Sequence, residues 1–219
     1  MDRRLIWFFA LLIPVTVWSW IAPHDRLTWW LEAGPVVAAA VLIVALRTSF
    51  PLSTLLLALA WVHCVVLLVG AHYTYALVPA FDWLREVTDG TRNNYDKLGH
   101  FVQGFVPAIL AREIFLRTSP LRDRGDGRAS RWLGFLVVSV CVAFSAFYEL
   151  VEWWVAELSG EAAESFLGTQ GYVWDTQSDM AWALGGAICA LVILARVHDR
   201  SLAKVLAGRA GVKQPPASS

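Results

Sequence analysis

Charged residues and cysteines are scarce in this sequence. Only 16% of its 219 residues are Asp, Glu, Lys or Arg, against about 25% in an average soluble domain. Hydrophobic residues make up 57% of the chain, and there are twelve tryptophans. A soluble domain of this length cannot bury so much apolar surface, so the composition excludes that class and predicts a polytopic membrane protein.

The three cysteines also exclude two kinds of site. Cys64, Cys141 and Cys189 fall in apolar segments without CxxC spacing, which argues against a disulfide framework or a cysteine metal site. We expect them to pack as small apolar residues. The HExxH zinc motif is absent as well. The remaining candidates for chemistry are carboxylates and histidines inside apolar segments.

Six apolar segments are long enough to cross a hydrocarbon core about 30 Å thick as helices. The predicted fold is therefore all-α, a polytopic transmembrane bundle of about six helices within a single domain, residues 1–200. Residues 201–219 are predicted to form a partly disordered cytoplasmic tail, because its end, GVKQPPASS, is polar and proline-containing. The six segments are Leu5–Ile21, Trp29–Leu46, Leu52–Ala76, Leu98–Leu116, Trp132–Glu157 and Asp179–Val197.

The distribution of basic residues predicts the orientation. If the N-terminus is cytoplasmic, fourteen of the 18 Lys and Arg residues lie inside, as the positive-inside rule favours. The four on the outer side are Arg26, Arg85, Arg92 and Lys97. Both termini are then cytoplasmic.

Two glutamates interrupt the fifth apolar segment. Glu149 and Glu152 lie three residues apart in FSAFYELVEWW, in the outer half of the predicted helix. A charge at mid-bilayer costs about 3 kcal/mol. We therefore expect these carboxylates to face partners, protons or a wet cavity and not the lipid.

Two other polar stretches fall at the same membrane depth: YDKLGHFVQG, at the outer end of the fourth helix, and WDTQSDM, at the start of the sixth. Each carries ionisable residues four apart, which share one face of a helix. The sequence thus predicts one polar site at the outer leaflet. The two stretches contribute Asp96, Lys97, His100, Gln103, Asp175, Gln177 and Asp179.

The motifs resemble a known family. YDKLGHFVQGFVPAILAREI, FSAFYELVEWW and FLGTQGYVWDTQSDM resemble the YjdF-like family of uncharacterised bacterial inner-membrane proteins over nearly the whole chain. The resemblance implies a multi-pass fold in the bacterial inner membrane and a motif set, but no established activity. The orientation predicted from the basic residues places the acidic cluster on the outer side.

A more distant similarity is to VanZ-like proteins, which are associated with lowered susceptibility to lipid-tailed glycopeptide antibiotics. It is carried by DKLGH, the acid of YEL, and DTQSD. This chain has an extra Glu152 and a longer segment before Asp175, so the same ligand does not follow. The resemblance points to Asp96, Lys97, His100, Glu149, Gln170 and Asp179.

These residues divide into three sets of expected roles. Glu149, His100 and Asp179 are candidate catalytic residues that could exchange protons. Lys97, Gln103, Gln170 and Gln177 are candidate ligand-binding residues. One His with several carboxylates suits Mg, Mn or Zn without being diagnostic of any. The candidate metal ligands are Asp96, His100, Glu149, Glu152, Asp175 and Asp179.

Plainer roles remain open for single residues. Asp175 is also suited to a helix N-cap, Lys97 to an interfacial cation, and the two glutamates to interhelical hydrogen bonds.

Three functions remain open. The first is binding of an envelope lipid or lipid-linked head group, with a metal-assisted lipid hydrolase or transferase as the candidate enzyme class. The second is a small proton- or cation-coupled transporter. The scarcity of ionisable residues in the cytoplasmic halves of the helices, apart from Arg112 and Glu113, argues against this function. The third is a structural accessory protein. Expected partners are membrane lipids and a second copy or another membrane protein, and not nucleic acid.

Overall fold

The computed structural model describes residues 2–121, 131–159, 166 and 169–212. These residues form seven α-helices and one 3₁₀ turn, Tyr75–Leu77, with no β-strand among them. The predicted all-α class is confirmed. The helices are α1 Arg3–Trp20, α2 Arg26–Ala45, α3 Thr54–Tyr73, α4 Pro79–Val87, α5 Tyr95–Thr118, α6 Arg131–Ser159 and α7 Asp175–Val212.

The starts of α2 and α3 are fixed by side-chain caps. Asp25 Oδ2 accepts a hydrogen bond from the Thr28 backbone N–H at 2.6 Å, and Ser53 Oγ accepts one from Leu56 N–H at 3.3 Å. Each cap satisfies a backbone donor that the first helical turn leaves unpaired. The caps explain why these helices begin directly after short polar connections.

Within the described residues, four helices are long and apolar enough to cross a membrane: α2, α3, α6 over Trp132–Leu158, and α7 over Asp175–Gly208. The other two predicted segments coincide with α1 and α5. Helix α1 begins with Arg3 and Arg4, and α5 carries several charged residues. The crossing of α1 and α5, and the cytoplasmic position of both termini, remain predictions.

Two elements differ from the expected boundaries. The connection after α3 contains the short helix α4, PAFDWLREV, which hydropathy does not reveal because it is short and carries polar residues on one of its faces. Helix α7 continues beyond the expected end at Val197 to Val212, since Leu, Ala, Lys and Arg favour helix without making it apolar. The first part of the predicted tail is therefore helical. Residues 213–219 and the basic linker 122–130 lie outside the described residues.

Helix α3 lies between two packed groups of helices. On one side it packs with α1 and α2, where Ser19 Oγ donates to the Leu68 carbonyl at 2.6 Å and accepts from Trp29 Nε1 at 2.9 Å. On the other side it packs with α5, α6 and α7. Cys64 and Cys141 are buried in these two groups, as predicted.

Helices α5 and α7 approach each other most closely. A Cβ on Gly104 would collide with the Ala183 carbonyl, and a Cβ on Gly186 would collide with the Phe101 carbonyl. Only glycine permits this backbone contact. The close pair brings the first turns of α5 and α7 to one end of the bundle, hereafter the cluster end; the end where α5 finishes is the opposite end.

Candidate functional site

The first turns of α5 supply the centre of the site. His100 is buried; its Nε2 lies 3.4 Å from Asp96 Oδ1, and its Nδ1 lies 2.9 Å from Gln103 Oε1. The three residues are one helical turn apart, so they share a face that points into the bundle. The imidazole is therefore held between two oxygen atoms.

Helix α6 brings the two glutamates to this imidazole. Glu149 Oε1 lies 3.8 Å from His100 Nδ1, and the Glu149 side chain is only 6% exposed. Glu152 lies one turn further on and is partly buried. Ser145, one turn before Glu149, is fully buried, and its hydroxyl has no hydrogen-bond partner in the part of the chain that the structure describes.

Helix α7 contributes two aspartates with different surroundings. Asp175 Oδ1 accepts from Arg92 Nη1 at 2.6 Å, so this carboxylate is already paired. Asp179 lies one turn deeper and is 3% exposed, and no described residue forms a hydrogen bond with its Oδ1. The inner aspartate is thus the one available to a ligand.

The potential ligand atoms form two groups that share His100. One group is Asp96, His100 and Asp179, and the other is His100, Glu149 and Glu152; within each group the atoms lie within 4.8 Å of one another. These five residues are hereafter the acid–histidine cluster. Carboxylate oxygens and imidazole nitrogens are ligands that Mg, Mn and Zn accept. Asp175, also a predicted metal ligand, belongs to neither group.

Two cations lie beside the cluster without entering it. Lys97 Nζ donates to Ser178 Oγ at 2.6 Å, and Arg92 Nη2 is 3.9 Å from Asp96 Oδ2. Both cations also lie over the ring of Tyr172, at 5.1 Å and 5.4 Å from its centroid. They form a positive rim next to the carboxylates.

Two predicted ligand-binding glutamines lie elsewhere. Gln170 Nε2 donates to the Asn93 carbonyl at 2.8 Å, and its Oε1 accepts from Asn93 N–H at 2.9 Å. Its amide therefore joins two loops. Gln177 is exposed on α7. Of the predicted amides, Gln103 alone contacts the cluster.

The structure adds Glu32 of α2 to the site. Glu32 is 4% exposed and lines the same cavity as Asp96, His100 and Glu152. The signal was present in the sequence, since Glu32 is the single acid of the second apolar segment. Like Glu149, a lone carboxylate at this position must face partners, protons or a wet cavity and not the lipid.

A second polar network occupies the opposite end. Glu113 is fully buried; its Oε1 accepts from Arg117 at 2.9 Å and from Ser53 N–H at 3.1 Å, and its Oε2 lies 3.0 Å from His198 Nε2. Arg112 Nη1 contacts His198 Nδ1 and Asp199 Oδ1, each at 2.7 Å. The expectation that this end holds few ionisable residues besides Arg112 and Glu113 is wrong, because α7 continues beyond Val197 and supplies His198 and Asp199.

The helices and the acid–histidine cluster together define a helical membrane protein with a buried polar site at one end. The family described as "Predicted membrane protein (DUF2238)" matches residues 4–200. The chain belongs to this family. The inner membrane protein YjdF of Escherichia coli (strain K12) is 46% identical over 191 residues, which are 87% of this chain and 88% of that protein.

The predicted YjdF-like resemblance is therefore confirmed, whereas the VanZ-like one remains a prediction. No solved structure is significantly similar to this chain.

Proposed function

We propose that the protein binds the polar head group of an envelope lipid at the acid–histidine cluster, through a divalent cation held by that cluster. The observation that carries the proposal is a pair of buried oxygen atoms, Glu149 Oε1 and Asp179 Oδ1, that have no hydrogen-bond partner among the described residues. A buried carboxylate without a partner is strongly destabilising. The two atoms belong to the two ligand groups that share His100, so a cation bound beside His100 satisfies the unpartnered oxygen of the group that holds it.

The cluster's composition supports a cation over a purely structural network. Four carboxylates surround one imidazole, and Arg92, which contacts Asp96 of the cluster at 3.9 Å, makes its shorter ion pair of 2.6 Å with Asp175 outside the cluster. A hydrogen-bonded network that serves only packing tends to satisfy all its members. An added positive charge resolves this imbalance.

The positive rim supports a phosphate-bearing head group. Arg92 and Lys97 lie next to the carboxylates, and two nitrogen atoms of Arg92, Nε and Nη2, are buried and have no hydrogen-bond partner within residues 2–121, 131–159, 166 and 169–212. A guanidinium edge with two free donors matches two oxygens of a phosphate. Cation and rim together suit a lipid phosphate, and a metal-assisted hydrolase or transferase is the reaction class that this arrangement accommodates.

The second candidate, a small proton- or cation-coupled transporter, is favoured by one observation: ionisable networks occur at both ends of the bundle. The two networks differ in whether their buried carboxylate oxygens have hydrogen-bond partners among the described residues. Both oxygens of Glu113 have partners from the chain itself, whereas Glu149 and Asp179 each keep one without. The network at the opposite end is thus suited to joining helices, and we rank head-group binding first.

The test compares matched aspartates at the two ends. Protein purified in mild detergent is analysed by native mass spectrometry, and the retained lipid is identified by fragmentation. Asp179→Asn and addition of EDTA should each lower lipid retention about tenfold, equivalent to about 1.4 kcal/mol of binding free energy. Asp199→Asn, at a 54% exposed side chain of the opposite end, should leave it unchanged. Equal retention in all four samples would refute head-group binding at this site.

A further inference from the structure

A cavity of about 520 Å³ lies between α2, α3, α5 and α6. At the cluster end its wall is polar, whereas further along it is apolar apart from His63 and Cys64 of α3. The polar part of the wall consists of Glu32, Tyr75, Asp96, His100, Gln103 and Glu152, with Tyr148 beside them.

The cavity is long. Its wall on α2 extends from Glu32 to Leu46, which at 1.5 Å per residue is about 20 Å along the helix axis. The volume falls within the usual range for a small-molecule ligand.

The cavity is accessible from the side of α2. Helix α2 packs mainly on α3, and Leu42 and Leu46 line the cavity while remaining 57% and 43% exposed. For a helix that crosses a membrane, this side faces hydrocarbon and not water. A molecule already dissolved in the bilayer can thus enter without passing through water.

We propose that this cavity holds one acyl chain of a membrane lipid, which enters sideways along α2. The placement of the head group at the acid–histidine cluster rests on the proposed function. An apolar cavity does not hold water, and an unfilled one lowers the stability of the fold. An acyl chain from the surrounding bilayer fills the cavity, and the polar wall at one end sets the direction of the acyl chain.

The bound acyl chain also accounts for the position of the acid–histidine cluster. Asp96, His100 and Glu152 belong both to the cluster and to the polar end of the cavity. A lipid whose chain lies in the cavity therefore places its first polar atoms at these side chains. Arg92 and Lys97 do not line the cavity, so they are left for the more distant part of the head group.

The experiment uses cells supplied with a fatty acid that carries a diazirine in its chain. Membranes are irradiated, and labelled residues of the full-length protein are mapped by mass spectrometry. Leu56 and Val106 line the cavity but are only 1% and 6% exposed, so a lipid chain reaches them through the cavity alone. We expect label at both positions.

The matched variants lie on one helix. Ala60 lines the cavity, whereas Ala58 is exposed on α3 and does not line it. Ala60→Phe should lower the label at Val106 at least fivefold, and Ala58→Phe should leave it unchanged. Ala39→Phe, which fills the cavity from α2, gives the same test if Ala60→Phe does not fold.

Other outcomes separate this inference from the proposed function. Label confined to outward-facing residues such as Val192, 79% exposed, and equal in all variants would overturn the acyl-chain site, even if the cluster still binds metal. Retention of an isoprenoid lipid without acyl label would overturn the choice of an acyl chain. Label at Val106 in protein that binds no metal would support the acyl-chain site and would refute cation binding at the acid–histidine cluster.

Discussion

Glu149 Oε1 lies 3.8 Å from His100 Nδ1, yet it accepts no hydrogen bond from any described residue. The two residues come from α6 and α5, so their approach depends on how these helices pack against each other and against α7. A buried carboxylate oxygen held beside an imidazole without a hydrogen-bond donor is a costly arrangement. The most direct way to offset that cost is a ligand that binds between the two.

Glu113→Gln should destabilise the protein strongly. The carboxylate pairs with Arg117 and His198 in a fully buried position, and removing one partner of a buried ion pair costs about 3–5 kcal/mol. Thermal unfolding in detergent should show a clear decrease in Tm. Asp199→Asn, at an exposed partner of Arg112, should cost less than about 1 kcal/mol. Equal effects would mean that Glu113 does not join the helices.

Gly186→Ala should separate α5 from α7. The added Cβ would collide with the Phe101 carbonyl, whereas a Cβ on the neighbouring Gly185 meets no atom within 4 Å. Gly185→Ala should therefore be neutral or stabilise the helix by up to about 1 kcal/mol. Thermal unfolding and lipid retention should both decrease in Gly186→Ala alone. Identical behaviour of the two variants would contradict the close helix contact.

The N-cap of α2 should give a defined pH dependence. The hydrogen bond from Thr28 N–H lowers the pKa of Asp25 below its ordinary value. Because the folded-state pKa lies below the unfolded one, the stabilisation is complete above pH about 4 and is lost as the pH falls through the folded-state pKa.

Asp25→Ala should cost about 1 kcal/mol at pH 7, while Asp25→Asn keeps the cap at both pH values. The free energy of unfolding at pH 7 and pH 3 measures this difference. If acidification lowers the free energy of unfolding of the wild type no more than that of Asp25→Asn, the result counts against the cap.

The orientation of the bundle can be measured with single cysteines. In a chain with Cys64, Cys141 and Cys189 replaced by Ala, we place one cysteine at Glu86 or at Thr48, both exposed. A membrane-impermeant maleimide added to intact cells from the outer side should label the Glu86→Cys variant and not the Thr48→Cys variant. The opposite pattern would move the acid–histidine cluster to the cytoplasmic side.

The sequence predicted the cluster because isolated acids in apolar segments must find partners, and alternating helix directions place three polar stretches at one depth. Glu32 was not predicted as part of the cluster, although it is also a lone acid in an apolar segment. His198 was missed because hydropathy ends a segment where charges begin, but the helix continues. The contacts of Gln170 with Asn93 join two loops, and helical periodicity carries no information about such pairs.

The central claim is that the acid–histidine cluster binds a divalent cation. Elemental analysis of protein purified in mild detergent tests it most directly, with wild type beside Glu149→Gln, Asp179→Asn and the control Asp199→Asn. We predict about one Mg, Mn or Zn for each chain in wild type and in the control, and a loss of that metal in both cluster variants. Wild-type protein without metal, or metal content unchanged by both cluster substitutions, would contradict the account.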